Sequence, residues 1–525
     1  MTPRAQTKLP RKAGGASLVA AGIFLSRIAG LLRESIFAAY FGTSPAAAAF
    51  RQALRIPNFL QTLFGEGVLS ASFIPVYAGL VARGNKEEAG RVAGAVFAIL
   101  ALLTSALVLL GVLATPLFID LIAPGFTGST RDLTITLVRI LFPGTGLLVL
   151  SAWCLGILNS HRRFFLSYSV PVLWNIAMIA ALVWFGPRVE QDRLARVVAW
   201  ASVIGSAAQV LAQLPVVLRL VPELRVALET HVESVRIVIR NFGPVFISRG
   251  VIQLSAFIDS IFASYLPIAA VPALGYAQTL YLLPISLFGM SVSASELPEM
   301  SSAVGDREQV SAHLRARLLT GLRRIAFFVI PSAVAFIALG DIVAAAIYQH
   351  RKFTHDDAIY TWGILAGSGV GLLASTQGRL YSSAFYALKD TRTPLRFAVV
   401  RVALTTILGY CAAFPLPTFL GLDPKWGAAG LTASAGISGW IEFLLLRRSL
   451  GSRIGSDPVG AVFLARLWAS AIAAAAVTWA IKLALEPHLT EPKLLALATL
   501  IPYGLIYLTL TGPAQLKDRL RGRHA

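Results

Sequence analysis

The 525-residue chain is 56% hydrophobic and 14% charged, and its 46 Lys and Arg outnumber its 26 Asp and Glu, giving a formal charge of +20. A soluble chain of this length would divide into three or four domains of roughly 150 residues; a mean hydropathy of +0.70 excludes that, along with disorder, a secreted cystine-rich fold and a soluble enzyme. The basic residues fall in short clusters between apolar runs, which reads as membrane topology rather than a nucleic-acid surface.

Runs of about 20 apolar residues, enough to cross a hydrocarbon core, lie near 17–41, 58–82, 91–118, 133–158, 165–187, 197–218, 237–265, 271–297, 322–345, 359–387, 395–420, 426–446, 459–481 and 494–512. They predict an all-α polytopic membrane protein of about fourteen transmembrane helices. The first run follows a basic tail (Arg4, Lys8, Arg11, Lys12) and has no small-residue cleavage site, so a cleaved signal peptide is a poor reading. It carries Arg27, Arg33 and Glu34. A charge at the bilayer centre costs about 3 kcal/mol on insertion scales and persists where it meets a polar cavity or a partner. Arg27 and Arg33 point about 120° apart on a helix, able to surround one anion or to make two separate contacts, and Glu34 is placed to pair with Arg33.

Next, Arg51 and Arg55 share a helical face before Pro57, and Gly65-Glu66-Gly67 interrupts the following run. Broken helices at bilayer depth are tolerated where they line a cavity or are buried in protein, and Glu66 there needs a partner or a proton. Arg139 precedes a second weak point, Phe142-Pro-Gly-Thr-Gly146. The stretch from Glu223 to Arg240 reads as an amphipathic cytoplasmic linker halfway along. In the seventh run Arg249 and Asp259 stand ten positions apart, about 15 Å along a helix axis, too far to pair directly. Glu296 closes the eighth run before Pro298, and Arg379 sits in a Gln377-Gly-Arg379 interruption of the tenth. The last two runs are nearly free of charge, suited either to wall a groove for a hydrocarbon tail or to dock on the neighbouring helices.

This spacing suggests an N-terminal six-helix lobe over 1–222, a second lobe with its linker over 223–458, and a terminal helix pair with a basic tail over 459–525. If the N-terminus is cytoplasmic, the inside segments hold roughly three times as many Lys and Arg as the outside loops, which favours both termini inside. Two facing lobes are the architecture of alternating access.

Catalytic signatures are missing. There is no paired-aspartate diphosphate motif, phosphate-binding loop, zinc-type histidine pair or nucleophile elbow. Cys154 and Cys411 both lie in apolar runs, and His161, His350 and His355 read as surface loop residues. No catalytic residue, metal or cofactor is expected. The ionisable groups within spans are cation-rich and mostly arginine, whose planar, permanently protonated fork suits a phosphate or diphosphate.

Ser26-Arg-Ile-Ala-Gly30, Leu32-Arg-Glu34, Tyr40-Phe-Gly42, Arg55-Ile-Pro-Asn58 and Phe64-Gly-Glu-Gly67 with Phe73-Ile-Pro75 resemble the opening of the bacterial MurJ/MviN family. Arg139-Ile-Leu-Phe-Pro143, Leu158-Asn159, Pro171, Asn175, Phe385-Tyr-Ala387, Asp390-Thr391 and Thr393-Pro394 extend the resemblance over most of the chain. It implies a fourteen-helix member of the multidrug/oligosaccharidyl-lipid/polysaccharide exporter superfamily in the bacterial inner membrane. Such a protein would be a flippase of lipid II, the undecaprenyl diphosphate-linked peptidoglycan precursor, with the bilayer and cell-wall synthesis proteins as its other partners. On that resemblance Arg27, Arg33 and Glu66 match functional positions, Glu34 replaces an aspartate, and Arg55 occupies a commonly basic position.

The departures are Ala48 for an acidic residue, Gln61-Thr62 for a double-basic step, and Ala277-Gln278-Thr279 for an Ala-Asp-Arg triplet. Arg51, where the family is usually apolar, and Arg249 are the candidate replacements. The substrate-binding candidates are therefore Arg27, Arg33, Arg51, Arg55, Glu66 and Arg249. Glu34, Asp259, Glu296 and Arg379 are candidates for coupling or for structure. The return stroke would draw on membrane potential or a coupled monovalent cation. The alternative is a paralogue that flips another polyprenyl diphosphate-linked glycan, or an exporter of a different anionic amphiphile.

Overall fold

The computed structural model describes residues 14–64, 66–301, 306–455, 459–489 and 491–521, with side chains except at 14–21, 66–67, 244–256, 307 and 513–521. Every regular element among the described residues is helical. In chain order they begin α1 (Gly14–Phe41), α2 (Pro45–Phe64), α3 (Glu66–Ser72), α4 (Ile74–Ala82), α5 (Lys86–Leu113), α6 (Thr115–Ile122), α7 (Gly128–Ser160), α8 (Phe164–Ser169), α9 (Pro171–Phe185), α10 (Gln191–Leu220) and α11 (Glu233–Tyr265). There follow α12 (Ala270–Pro284), a π turn (Ile285–Met290), α13 (Ser291–Ser301), α14 (Arg307–Ala338), α15 (Gly340–Tyr348), α16 (His355–Ala387), α17 (Arg392–Ala413), α18 (Pro415–Phe419), a 3₁₀ turn, α19 (Gly427–Ile454), α20 (Ala461–Leu485) and α21 (Pro492–Arg521).

The chain forms two compact units, one of residues 1–37, 49–122 and 127–255 and the other of 38–48, 123–126 and 256–525. Among the described residues, 12 helical runs are long and apolar enough to cross a membrane. The two other expected spans coincide with α1 and α11, both of which run over residues whose side chains are not described.

Three sequence expectations about breaks are corrected. The second span begins at Pro45 rather than near 58, because α2 continues through Pro57 to Phe64. Helix α7 runs unbroken past Pro143, as a proline removes one hydrogen bond while the packed faces on either side hold the helix together. The expected interruption at Gln377-Gly378-Arg379 is likewise absent: Gly378 costs about 1 kcal/mol in a helix, and its buried neighbours Thr376, Gln377 and Leu380 hold α16 continuous. The expected break at Gly65-Glu66-Gly67 falls on Gly65, which lies outside the described residues.

In the first unit α7 packs on α10 and α5, and α10 on α9. Around Trp153 the core gathers Phe73, Tyr77, Val92, Val96 and Leu158, and the Trp153 indole N–H donates to the Ala93 carbonyl at 3.1 Å. Residues 221–232, which include the first part of the predicted 223–240 linker, form turns and irregular chain that approach the start of α5. A Cβ at Gly94 would lie 1.8 Å from the Arg225 carbonyl oxygen, so glycine is what permits this approach. Arg91 binds Glu229 at 2.7 Å, and Ser234 donates to Glu88 at 2.5 Å.

In the second unit α16 is central, packed on α19, α14 and α12. The loop before α17 is organised by Asp390, which accepts from the Thr393 hydroxyl and from the amides of Thr393 and Arg392 while Arg453 lies 2.7 Å away. The Thr393 bonds and Arg453 hold its carboxyl well below the usual carboxylate range.

The terminal pair α20 and α21 packs on α14 and α15. Pro331, inside α14, lacks the N–H that would bond to the Phe327 carbonyl. Tyr507 of α21 supplies the missing donor at 2.7 Å, and Tyr503 donates to the Pro331 carbonyl at 2.7 Å. Tyr507→Phe is therefore expected to destabilise the protein by about 1 kcal/mol, the scale of an interhelical hydrogen bond in a membrane. A melting temperature in detergent equal to that of the unmodified chain would remove this role.

Candidate functional site

The first unit gathers a charged cluster from two helices. Glu34 of α1 accepts from Arg33 through Oε1 and from Arg51 of α2 through Oε2, each at 2.6 Å. The side chains are 17%, 14% and 12% exposed for Arg33, Arg51 and Glu34, so the cluster is largely desolvated. Each guanidinium also faces an aromatic ring. Arg33 lies 4.7 Å from the Trp174 centroid and Arg51 5.4 Å from that of Phe37, which packs in turn on Phe50.

Two guanidinium groups against one carboxylate leave the cluster one positive charge in excess. Each arginine gives Glu34 one hydrogen bond from its Nη2, so a diphosphate that takes those donors competes with Glu34. Arg55, one turn beyond Arg51 on α2, is half-buried, whereas Arg27 is exposed on α1. The side chains of Glu66 and Arg249 lie outside those described.

The remaining candidates are dispersed. Asp259 is half-buried on α11. Glu296, expected near a span end, is buried and pairs with Arg317 of α14 at 3.0 Å; Arg317 also reaches Glu299 at 3.7 Å. Arg379 is exposed on α16. At the altered positions, the Thr279 hydroxyl folds back onto the Gly275 carbonyl, the Thr62 hydroxyl onto the Asn58 carbonyl, and Ala48 is fully buried.

Two ion pairs in the second unit went unread in the sequence. Arg401 of α17 binds Glu442 of α19 at 3.2 Å, although Glu442 stands within a predicted span and could have been flagged as an intramembrane carboxylate. Lys482 of α20 pairs with Asp341 of α15, both side chains 10% exposed, and its ammonium also lies 4.7 Å from the Trp479 ring centroid. Asp341 lies inside the predicted run near 322–345 and Lys482 one residue past the run near 459–481. Among the described residues no group of His, Cys, Asp and Glu is arranged to hold a metal ion.

The family model described as "Lipid II flippase MurJ" matches residues 37–497, most of the chain. The chain belongs to the MurJ family. Among its MurJ relatives, the "Lipid II flippase MurJ" of Burkholderia cenocepacia is 31% identical over 435 residues, covering 82% of each chain. The "Probable lipid II flippase MurJ" of Rhizobium meliloti is 30% identical over 439 residues, 81% of this chain and 78% of the relative. A solved structure described as lipid II flippase MurJ in an inward closed conformation superposes with a TM-score of 0.77 at 25% identity, covering 96% of this chain and 100% of the other. An inward-facing multidrug resistance MATE transporter of the MOP superfamily shares the fold, with a TM-score of 0.65 at 17% identity over 84% of this chain and 100% of its own. Family membership therefore meets a cationic cluster assembled partly from a residue, Arg51, that the family resemblance does not supply.

Proposed function

We propose that this MurJ-family chain is a lipid II flippase, a multi-pass transporter of the bacterial inner membrane that carries the undecaprenyl diphosphate-linked precursor from the inner to the outer leaflet. The match over residues 37–497 carries this reading. It involves no covalent step. Arg33 and Arg51, joined by Arg55 and with Arg27 and Arg249 as further cations, take the diphosphate, Glu66 is a further substrate contact, and the polyprenyl tail stays in lipid. Charge-assisted bonds to the fork of arginine replace the water that the headgroup loses on entering. Alternating access then opens the cluster to the inner and next to the outer side.

The same reading has fourteen spans, with α1 and α11 added to the 12 apolar runs, and both termini cytoplasmic. Its working divisions are 1–222, 223–458 and 459–525, the last being the helix pair with its basic tail. Membrane potential, worth about 2.3 kcal/mol per charge per 100 mV, favours a cytoplasm-facing empty cationic site and so drives the return; a monovalent cation is the other source. Asp259 and Glu296 are the coupling candidates, and Glu296 pairs with Arg317.

Complementation tests the function: the chain should sustain growth and outer-leaflet lipid II in a bacterium depleted of its own flippase. Absence of rescue by protein present in the membrane would reject lipid II as cargo. One observation favours a second reading in that event: Gln61, Thr62 and Thr279 stand where the family resemblance expects basic residues. A paralogue for another polyprenyl diphosphate-linked glycan would then be the cargo assignment.

In this mechanism Glu34 serves release, competing with the diphosphate for both arginines. Glu34→Gln is expected to tighten lipid II binding by about tenfold, the scale of one charge-assisted bond, while slowing turnover. Unchanged affinity, measured by titration in nanodiscs, would remove Glu34 from the exchange.

A further inference from the structure

We propose that Trp174 is a positioning residue of the anion site, presenting Arg33 to the diphosphate; the proposal rests on the lipid II reading above. Arg33 has two partners of different kinds. Glu34 accepts a hydrogen bond from its Nη2, whereas the guanidinium carbon lies over the Trp174 ring, 4.7 Å from the centroid. A ring under the cation attracts it through the quadrupole of the π face and leaves the in-plane N–H groups available to oxygen acceptors. When an anion displaces Glu34, the ring contact survives the exchange and keeps the fork from swinging away.

The ring is itself fixed. Its indole N–H donates to the Ser202 hydroxyl of α10 at 2.9 Å, and Ser202 is buried. Three residues along α10, Gly205 brings that helix against the backbone of Trp174: a Cβ there would lie 2.8 Å from the Trp174 Cα. One contact therefore sets the ring's orientation and the other the position of its backbone. Phe37 is the counterpart under Arg51, but at 5.4 Å and without a polar anchor it holds its cation less firmly. Nothing in the sequence pairs Trp174 with Arg33, 141 positions away; α1, α9 and α10 bring them together.

The test uses the full chain in nanodiscs for lipid II binding and in proteoliposomes for translocation. Trp174→Leu should raise both Kd and KM about tenfold, in line with a partly desolvated cation–π contact, with kcat within about twofold. Trp174→Phe, which retains a ring, should recover part of the loss, and Ser202→Ala should reproduce the Trp174→Phe value. In an Arg33→Gln background Trp174→Leu should add nothing further, because the residue through which it acts is gone. Melting temperatures of all variants separate unfolding from a local effect, and Trp174→Phe carries the test if Trp174→Leu fails to fold.

An unchanged KM in Trp174→Leu, a fall in kcat alone, or an equal loss in the Arg33→Gln background would each overturn the proposal while leaving the flippase reading intact. A wild-type chain that binds no lipid II would overturn both.

Discussion

Replacing Arg33 and Arg51 together by glutamine is expected to abolish rescue of a flippase-depleted bacterium and to weaken lipid II binding at least a hundredfold. Hydrogen bonds to charged groups contribute about 1.5–3 kcal/mol each, and the two residues supply the forks that face Glu34 from either side. The double variant strands Glu34 as a partly buried carboxylate without its two cations, which by itself threatens folding. A triple variant with Glu34→Gln removes that penalty and isolates the loss of the anion site. Arg27→Gln, at an exposed position on α1, should cost no more than several-fold. Translocation at the wild-type rate by a well-expressed triple variant would show that the diphosphate is held elsewhere.

The largest loss of stability is expected at the Asp341–Lys482 pair. Lys482→Met leaves the Asp341 carboxylate in a site where it is 10% exposed and has lost its counter-charge, a change that costs about 3–5 kcal/mol in buried pairs. Asp341→Leu, stranding the ammonium, should be comparably harmful, with Trp479 retaining only a cation–π contact. Combining the two should restore most of the stability, because well-packed apolar replacements of a buried pair are often neutral or better. Thermal denaturation of the purified chain measures this directly. Single variants as stable as the parent, or a double variant as damaged as either single one, would contradict the assignment of this pair as the fastening of α20 to α15.

Membrane character was legible from composition, and the helix runs from length and hydropathy, because every backbone polar group in a bilayer must be satisfied within its own helix. The breaks were less legible. A proline or glycine announces a weak point, but whether the helix yields depends on what packs around it: Pro57, Pro143 and Gly378 are all carried within continuous helices. Pro331 shows the tertiary answer most directly, since the carbonyl it orphans is satisfied by Tyr507 from a helix more than 170 positions on.

Arg33, Glu34, Arg51 and Arg55 could be nominated from sequence because ionisable residues in apolar runs are expensive. That argument ranks candidates by their cost and is silent on their partners. It therefore treated Arg27 and Arg33 as companions on one helix, whereas the structure pairs Arg33 with Arg51 through Glu34 and leaves Arg27 exposed. It also missed Asp341, within the run near 322–345, and Lys482, just past the run near 459–481, whose pairing emerges only when α15 and α20 are packed together.

The sequence by itself determined that the chain is a helical membrane protein with arginine-rich spans, because hydropathy, charge and their spacing are local properties that the bilayer reads directly. Only the tertiary structure decided which charges meet, which ring lies beneath which guanidinium and what holds the terminal helices. Apart from Arg33 and Glu34, neighbours on α1, those contacts join residues on separate helices, and helical period relates side chains only along one helix, while helix packing sets the distance between two.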